Sequence, residues 1–125
     1  MRQAGELVLV VEDDDDLREV EISILCQAGY RVMEAREGSE ALDRVAAEMP
    51  GVIFLDMRMP GMDGWTFARE FRARHDHGAP LVVVTAEASA RSHADEIGAE
   101  GVLGKPFDAG ALMRTAQLHL APQPG

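Results

Sequence analysis

The chain has 125 residues, 46% of them hydrophobic and 27% charged, which suits one globular domain with its own core and leaves little room for two. Its 22 acidic and 12 basic residues give a net charge of -10, which disfavours direct binding to nucleic acid or an anionic membrane surface and favours a cation or a partner with a basic face. The lone cysteine, Cys26, excludes an internal disulfide and reads as a small core residue of a helix in a reducing compartment.

In chain order, short apolar runs alternate with longer amphipathic stretches. Leu7-Val8-Leu9-Val10-Val11 is a continuous run of the kind found in strands buried on both faces. An acidic string, Glu12-Asp13-Asp14-Asp15-Asp16, follows it, and Leu17, Val20, Ile24 and Ala28 then recur at helical spacing until Gly29. Residues 31–35 read as a short strand, and Ala41, Leu42, Val45 and Ala46 as a second helix ended by Pro50-Gly51. Val52-Ile53-Phe54-Leu55 is a third strand that runs into Asp56; Pro60-Gly61 and Asp63-Gly64 make a turn-rich loop before a helix carrying Trp65, Phe67, Ala68 and Phe71. His75-Asp76-His77-Gly78 reads as a solvated loop rather than a metal site. Leu81-Val82-Val83-Val84 is a fourth strand ending at Thr85, residues 88–97 a weakly amphipathic helix, and Gly101-Val102-Leu103-Gly104 a fifth strand ending at Lys105-Pro106. Asp108 caps a last helix with Leu112, Met113, Ala116 and Leu120. No run is long enough to span a bilayer and the start MRQAGELVLV lacks a secretion signal, so a cytoplasmic protein is expected.

Five strand-then-helix units imply a parallel sheet with helices on both faces, and in such α/β folds sites form at the carboxyl ends of the strands. Those ends are Glu12-Asp13, Asp56, Thr85 and Lys105. Three carboxylates on one edge repel each other by several kcal/mol unless they protonate or take up a cation, and hard oxygen ligands without His or Cys suit Mg²⁺. Beside such an ion Asp56 can attack phosphorus as a carboxylate nucleophile, with Lys105 and the Thr85 hydroxyl on the phosphoryl oxygens.

On these residues the sequence resembles the response-regulator receiver (CheY-like) family of two-component signalling. The resemblance spans residues 6–120, with short tails at 1–5 and 121–125. It rests on VLVVEDDDDLRE, FLDMRMPGMDG around Asp56, VVVVTA ending at Ala86, and GKPF around Lys105. It implies a flavodoxin-like, doubly wound five-stranded sheet of order 2-1-3-4-5 with five flanking helices. It also implies a phosphorylation-dependent switch that takes its phosphoryl group from a histidine kinase or a histidine phosphotransfer protein. Matched by position, Asp56 is the phospho-acceptor, Asp13 a direct Mg²⁺ ligand, Glu12 its acidic neighbour, and the backbone carbonyl of Arg58 a third protein ligand. Thr85 matches the switch hydroxyl, Ala86 a small residue that leaves the acceptor accessible, Lys105 the phosphate-pairing lysine, and Pro106 a proline after a cis bond. The output is a changed surface on the fourth helix, fifth strand and fifth helix, read by a downstream protein effector, in a chain that is a monomer or weak dimer and not a turnover enzyme.

One position departs from the pattern. Val102 stands where many receivers carry an aromatic that rotates inward, so any switch here must use the backbone and packing of residues 85–104. Arg58 and Glu87, each two residues past a site residue, are expected to pair across the rim and hinder a hydrolytic water. The rival readings are a phosphorylation-independent receiver-like adaptor, a flavin-binding electron carrier, whose phosphate the acidic string would repel, and an aspartate-nucleophile phosphatase. The phosphatase usually has a second Asp two residues after the nucleophile, where this chain has Arg58.

Overall fold

The apolar runs become strands because their alternate side chains serve two separate layers. The computed structural model describes residues 6–120, except for the side chain of Glu87; the tails at 1–5 and 121–125 lie outside the described residues. The elements are β1 (Leu7–Val11), α1 (Asp15–Gln27), β2 (Arg31–Ala35), α2 (Gly38–Ala47), β3 (Val52–Leu55), α3 (Gly64–Arg74), β4 (Leu81–Ala86), α4 (Glu87–Ile97), β5 (Gly101–Lys105) and α5 (Ala109–His119). All strand pairs are parallel, in the order β2-β1-β3-β4-β5, as expected from the resemblance.

One face of the sheet presents Leu9, Val11, Ile53, Leu55, Leu81 and Val83 to α2, α3 and Ala94 of α4. The other presents Val8, Val10, Val52, Phe54, Val82 and Val84 to Leu25 of α1 and Leu112 and Ala116 of α5. Every residue of β1 and β3 is buried, and each such side chain contributes roughly 1.5–3 kcal/mol of burial free energy. β2 lies at the edge, where Arg31 and Glu34 are exposed. Side chains of Asp14, Glu37, Asp63 and Asp108 accept from backbone N–H groups at the starts of α1, α2, α3 and α5. The start of α4, immediately after Ala86, has no side-chain cap.

Helix α1 corrects two sequence expectations. Its buried residues are Arg18, Glu21 and Leu25, whereas Val20 is 51% exposed and Leu17 and Ile24 are only half-buried. Cys26, read as a core residue, is exposed, because the turn that buries Leu25 points the next side chain outward. The apolar stripe lost its place to two charged residues because Arg18 finds acceptors on neighbouring segments.

The two features that position the site are the sheet order and its register. The strand order reverses between β1 and β3, where a crevice opens at the carboxyl ends. Val11 is the register partner of Leu55, so Glu12 and Asp56, the next residues on each strand, emerge side by side.

Candidate functional site

Glu12 continues β1 by one rung, its N–H donating to Ala35 O at 3.0 Å, and Asp56 continues β3, its N–H donating to Val11 O at 3.0 Å. Asp13 lies on the exposed turn into α1. The three side chains each offer a carboxylate oxygen, and these oxygens lie within 4.8 Å of one another. From the far edge strand, Lys105 brings its Nζ to 3.0 Å from Glu12 Oε1 and 3.8 Å from Asp56 Oδ1. The register that pairs Ala86 with Lys105 puts β4 and β5 ends at one level.

The electrostatics are those of a site short of positive charge. Burial, then the negative charge of Glu12, push the Asp56 carboxyl up to about 7, against the opposing pull of Lys105. Burial by itself would lower the Lys105 ammonium; the hydrogen bond to Glu12 and the charges of Asp56 and Glu12 outweigh it and raise the group. A divalent cation relieves this repulsion, and an all-oxygen donor set suits a hard ion. The described residues therefore fit a metal of the Mg²⁺ class at Glu12, Asp13 and Asp56, the one such acidic group among the described residues.

The cleft over Asp56 encloses about 660 Å³, and its walls include Glu12, Asp13, Arg58, Ala86, Lys105 and Pro106, with Leu17 and Phe107 as an apolar rim. The Lys105–Pro106 peptide is cis. Thr85 is buried at 6% exposure, opposite Gly104, and does not line the cleft; Ala86 beside it is exposed. Val102 is half-buried and packs against the core layer of α2, α3 and α4. The Arg58 guanidinium lies 5.3 Å from the centroid of the Trp65 ring. The expected Arg58–Glu87 pair involves a side chain outside the described residues.

Three residues were not legible as part of the site. Arg18 donates from Nη1 to the main-chain carbonyl of Glu12 at 2.9 Å. Glu21 is 1% exposed, its Oε2 has no hydrogen-bond partner, and burial, followed by the charge of Glu12, raises its carboxyl to about 8. Trp65 donates from Nε1 to Glu96 Oε1 at 2.7 Å and meets the His93 ring edge-on at 4.8 Å. The available signal was the spacing of Arg18, Glu21 and Leu25, which share one helical face at i, i+3 and i+7.

A family model described as the response regulator receiver domain matches residues 8–117. The chain belongs to this family. The receiver domain is 36% identical over 122 residues to the DNA-binding transcriptional regulator NtrC of Escherichia coli K12, covering 94% of this chain and 26% of that protein. It is 39% identical over 102 residues to the response regulator MprA of Mycolicibacterium vanbaalenii, covering 80% and 44%. The chain thus spans less than half the length of these relatives. Among solved structures it is similar to the chemotaxis protein CheY4 of Vibrio cholerae, with a TM-score of 0.83, 33% identity and coverage of 92% of this chain and 98% of that one. It is also similar to the receiver domain of NtrX from Brucella abortus, with a TM-score of 0.82, 30% identity and coverage of 90% and 97%. Its role is therefore phosphorylation-regulated signalling; receiver domains are signalling domains and not turnover enzymes. No helix among the described residues is long and apolar enough to cross a membrane.

Proposed function

We propose that this receiver domain accepts a phosphoryl group on Asp56 from the phosphohistidine of a histidine kinase or histidine phosphotransfer protein. The observation that carries the reading is the meeting of three carboxylates within 4.8 Å with an ammonium group 3.0 and 3.8 Å from two of them. Asp13, Glu12, Asp56 and the Arg58 carbonyl would hold Mg²⁺, which when bound neutralises the carboxylates and takes up charge on a phosphoryl oxygen. A carboxylate oxygen of Asp56 forms the new P–O bond as the P–N bond of the donor breaks, and the imidazole leaves with the electron pair. Lys105 moves from Glu12 to a phosphoryl oxygen, and the Thr85 hydroxyl turns outward to another.

The product adds roughly -1.5 to -2 charges beside Lys105. Drawing Lys105 and Thr85 toward it pulls on β5 and on the junction from β4 into α4, whose first turn has no side-chain cap. The output surface is α4, β5 and α5, read by a protein effector on the same or another chain. Hydrolysis of the acyl phosphate, in which water attacks phosphorus and the Asp56 carboxylate leaves, resets the domain; the residues that would hold Mg²⁺ would keep it on a phosphoryl oxygen during this step as well.

The test is incubation with Mg²⁺ and acetyl phosphate, read by intact mass. Wild type gains one phosphoryl group and Asp56→Asn gains none; labelling of Asp56→Asn at the wild-type level would refute the acceptor. An adaptor independent of phosphorylation is the second reading, favoured by Val102 at the place of the rotating aromatic. A wild-type chain that stays unlabelled under these conditions supports it.

A further inference from the structure

We infer that Arg18 is a positioning residue for the acidic pair: its guanidinium group grips the carbonyl joining Glu12 to Asp13 and so aims both carboxylates toward Asp56. The inference rests on the reading of those three residues as a Mg²⁺ site.

The sheet leaves this carbonyl without a ladder partner. β1 ends at Val11, and the N–H of Glu12 makes the last rung, to Ala35 O. The Glu12 carbonyl is held instead by Arg18 Nη1 at 2.9 Å, in a buried hydrogen bond. Both polar groups of the Glu12 main chain are thereby fixed, one from β2 and one from α1.

Arg18 is itself held by two further hydrogen bonds. Its Nε donates to Glu34 Oε1 on β2 at 2.8 Å and its Nη2 donates to Asp15 Oδ1 at 2.6 Å, with the whole residue 8% exposed. A planar fork whose three donors reach the end of β1, β2 and the first turn of its own helix orients its target, which a flexible ammonium on a single-point contact does not. Outer groups of this kind orient the ligands of a metal and commonly alter its affinity by tenfold or more.

Charge and position act in opposite directions here, which makes the inference testable. A cation close to an acidic cluster opposes Mg²⁺ by Coulomb repulsion. If Arg18 acted through charge alone, its removal would tighten Mg²⁺ binding; if it positions the ligands, its removal weakens binding. A purely structural role would lower stability and leave the affinity of the folded protein where it was.

The experiment is calorimetric titration of the full chain with MgCl₂, for wild type, Arg18→Met and Arg18→Lys, with urea unfolding in EDTA to establish that each is folded. Both variants are expected to bind Mg²⁺ about tenfold more weakly, Lys failing to rescue because it cannot reach three acceptors. Wild-type or tighter affinity in Arg18→Met overturns the inference, as does full rescue by Lys. Should Arg18→Met not fold, Arg18→Lys decides by the same criterion. A wild-type chain that takes up no Mg²⁺ while Asp56 is still labelled removes the metal reading, and the positioning role falls with it.

Discussion

Lys105 Nζ lies nearer to Glu12 Oε1, at 3.0 Å, than to Asp56 Oδ1, at 3.8 Å. The ammonium group is therefore the resident counter-ion of Glu12 and Asp56, and in the proposed reaction it would leave Glu12 to pair with a phosphoryl oxygen. In the proposed reaction its charge would serve twice, holding these carboxylates together and pairing with the transferred phosphoryl group.

Lys105→Met separates those two duties. Without the resident cation the carboxylates attract Mg²⁺ more strongly, so the calorimetric affinity rises. Labelling of Asp56 by acetyl phosphate slows by about 100-fold, the usual scale for removing one group that stabilises developing charge. Slower labelling with unchanged metal affinity would mean that Lys105 does not compete for the site.

Glu21 ties stability to pH. Its carboxyl titrates at about 8 in the folded chain against an ordinary value of 4.5. Between those values the folded state holds a proton that the unfolded state has released, so stability falls as pH rises from about 4.5 to 8. Asp56, raised to about 7 from 3.8, adds a slope of the same sign in the absence of metal. Glu21→Gln removes its share: urea melts in EDTA should show a gain on the order of 4 kcal/mol at pH 8 and almost none at pH 4. Parallel pH profiles for the two proteins would contradict the assignment.

Trp65 links the loop after β3 to α4. Arg58, two residues past Asp56, lies over its ring, while its indole N–H donates to Glu96 and its ring meets that of His93 in a T-shaped contact, both on α4. In a chain with Val102 at the usual aromatic position, this contact offers another route by which the loop after Asp56 reaches α4. Trp65→Phe should be labelled at the wild-type rate but lose most of the phosphorylation-dependent change in amide exchange along α4. Full retention of that change would assign the coupling to β4 and β5 alone.

Gly64 packs behind Asp56 and Met57. A Cβ there would lie 2.7 Å from Met57 Cα and 2.9 Å from the Asp56 carbonyl oxygen, both main-chain atoms that cannot move aside cheaply. Gly64→Ala is expected to cost about 1–3 kcal/mol in urea unfolding and to slow labelling of Asp56, because relief of the clash displaces that residue. Wild-type labelling in this variant would show that the loop absorbs the shift.

Residues 7–11, 52–55 and 81–84 were legible as strands because continuous apolar runs of that length bury both faces. The residues that follow them, Glu12, Asp56 and Thr85, were legible as a set because parallel connections bring all strand ends to one edge. By itself the sequence determined the architecture and which chemical groups share that edge. Only the tertiary structure decided how they pair: that Lys105 rests on Glu12, that Thr85 stays buried off the cleft, and that α1 turns Arg18 and Glu21 inward and Cys26 outward. The physical reason is that helical periodicity reports which side chains share a face, whereas burial of a charge depends on partners supplied by distant segments. Here Glu34 of β2 and the carbonyl of Glu12 join Asp15, three residues back on the same helix, in making the inner position favourable for an arginine, and of these only Asp15 is local to residues 15–27.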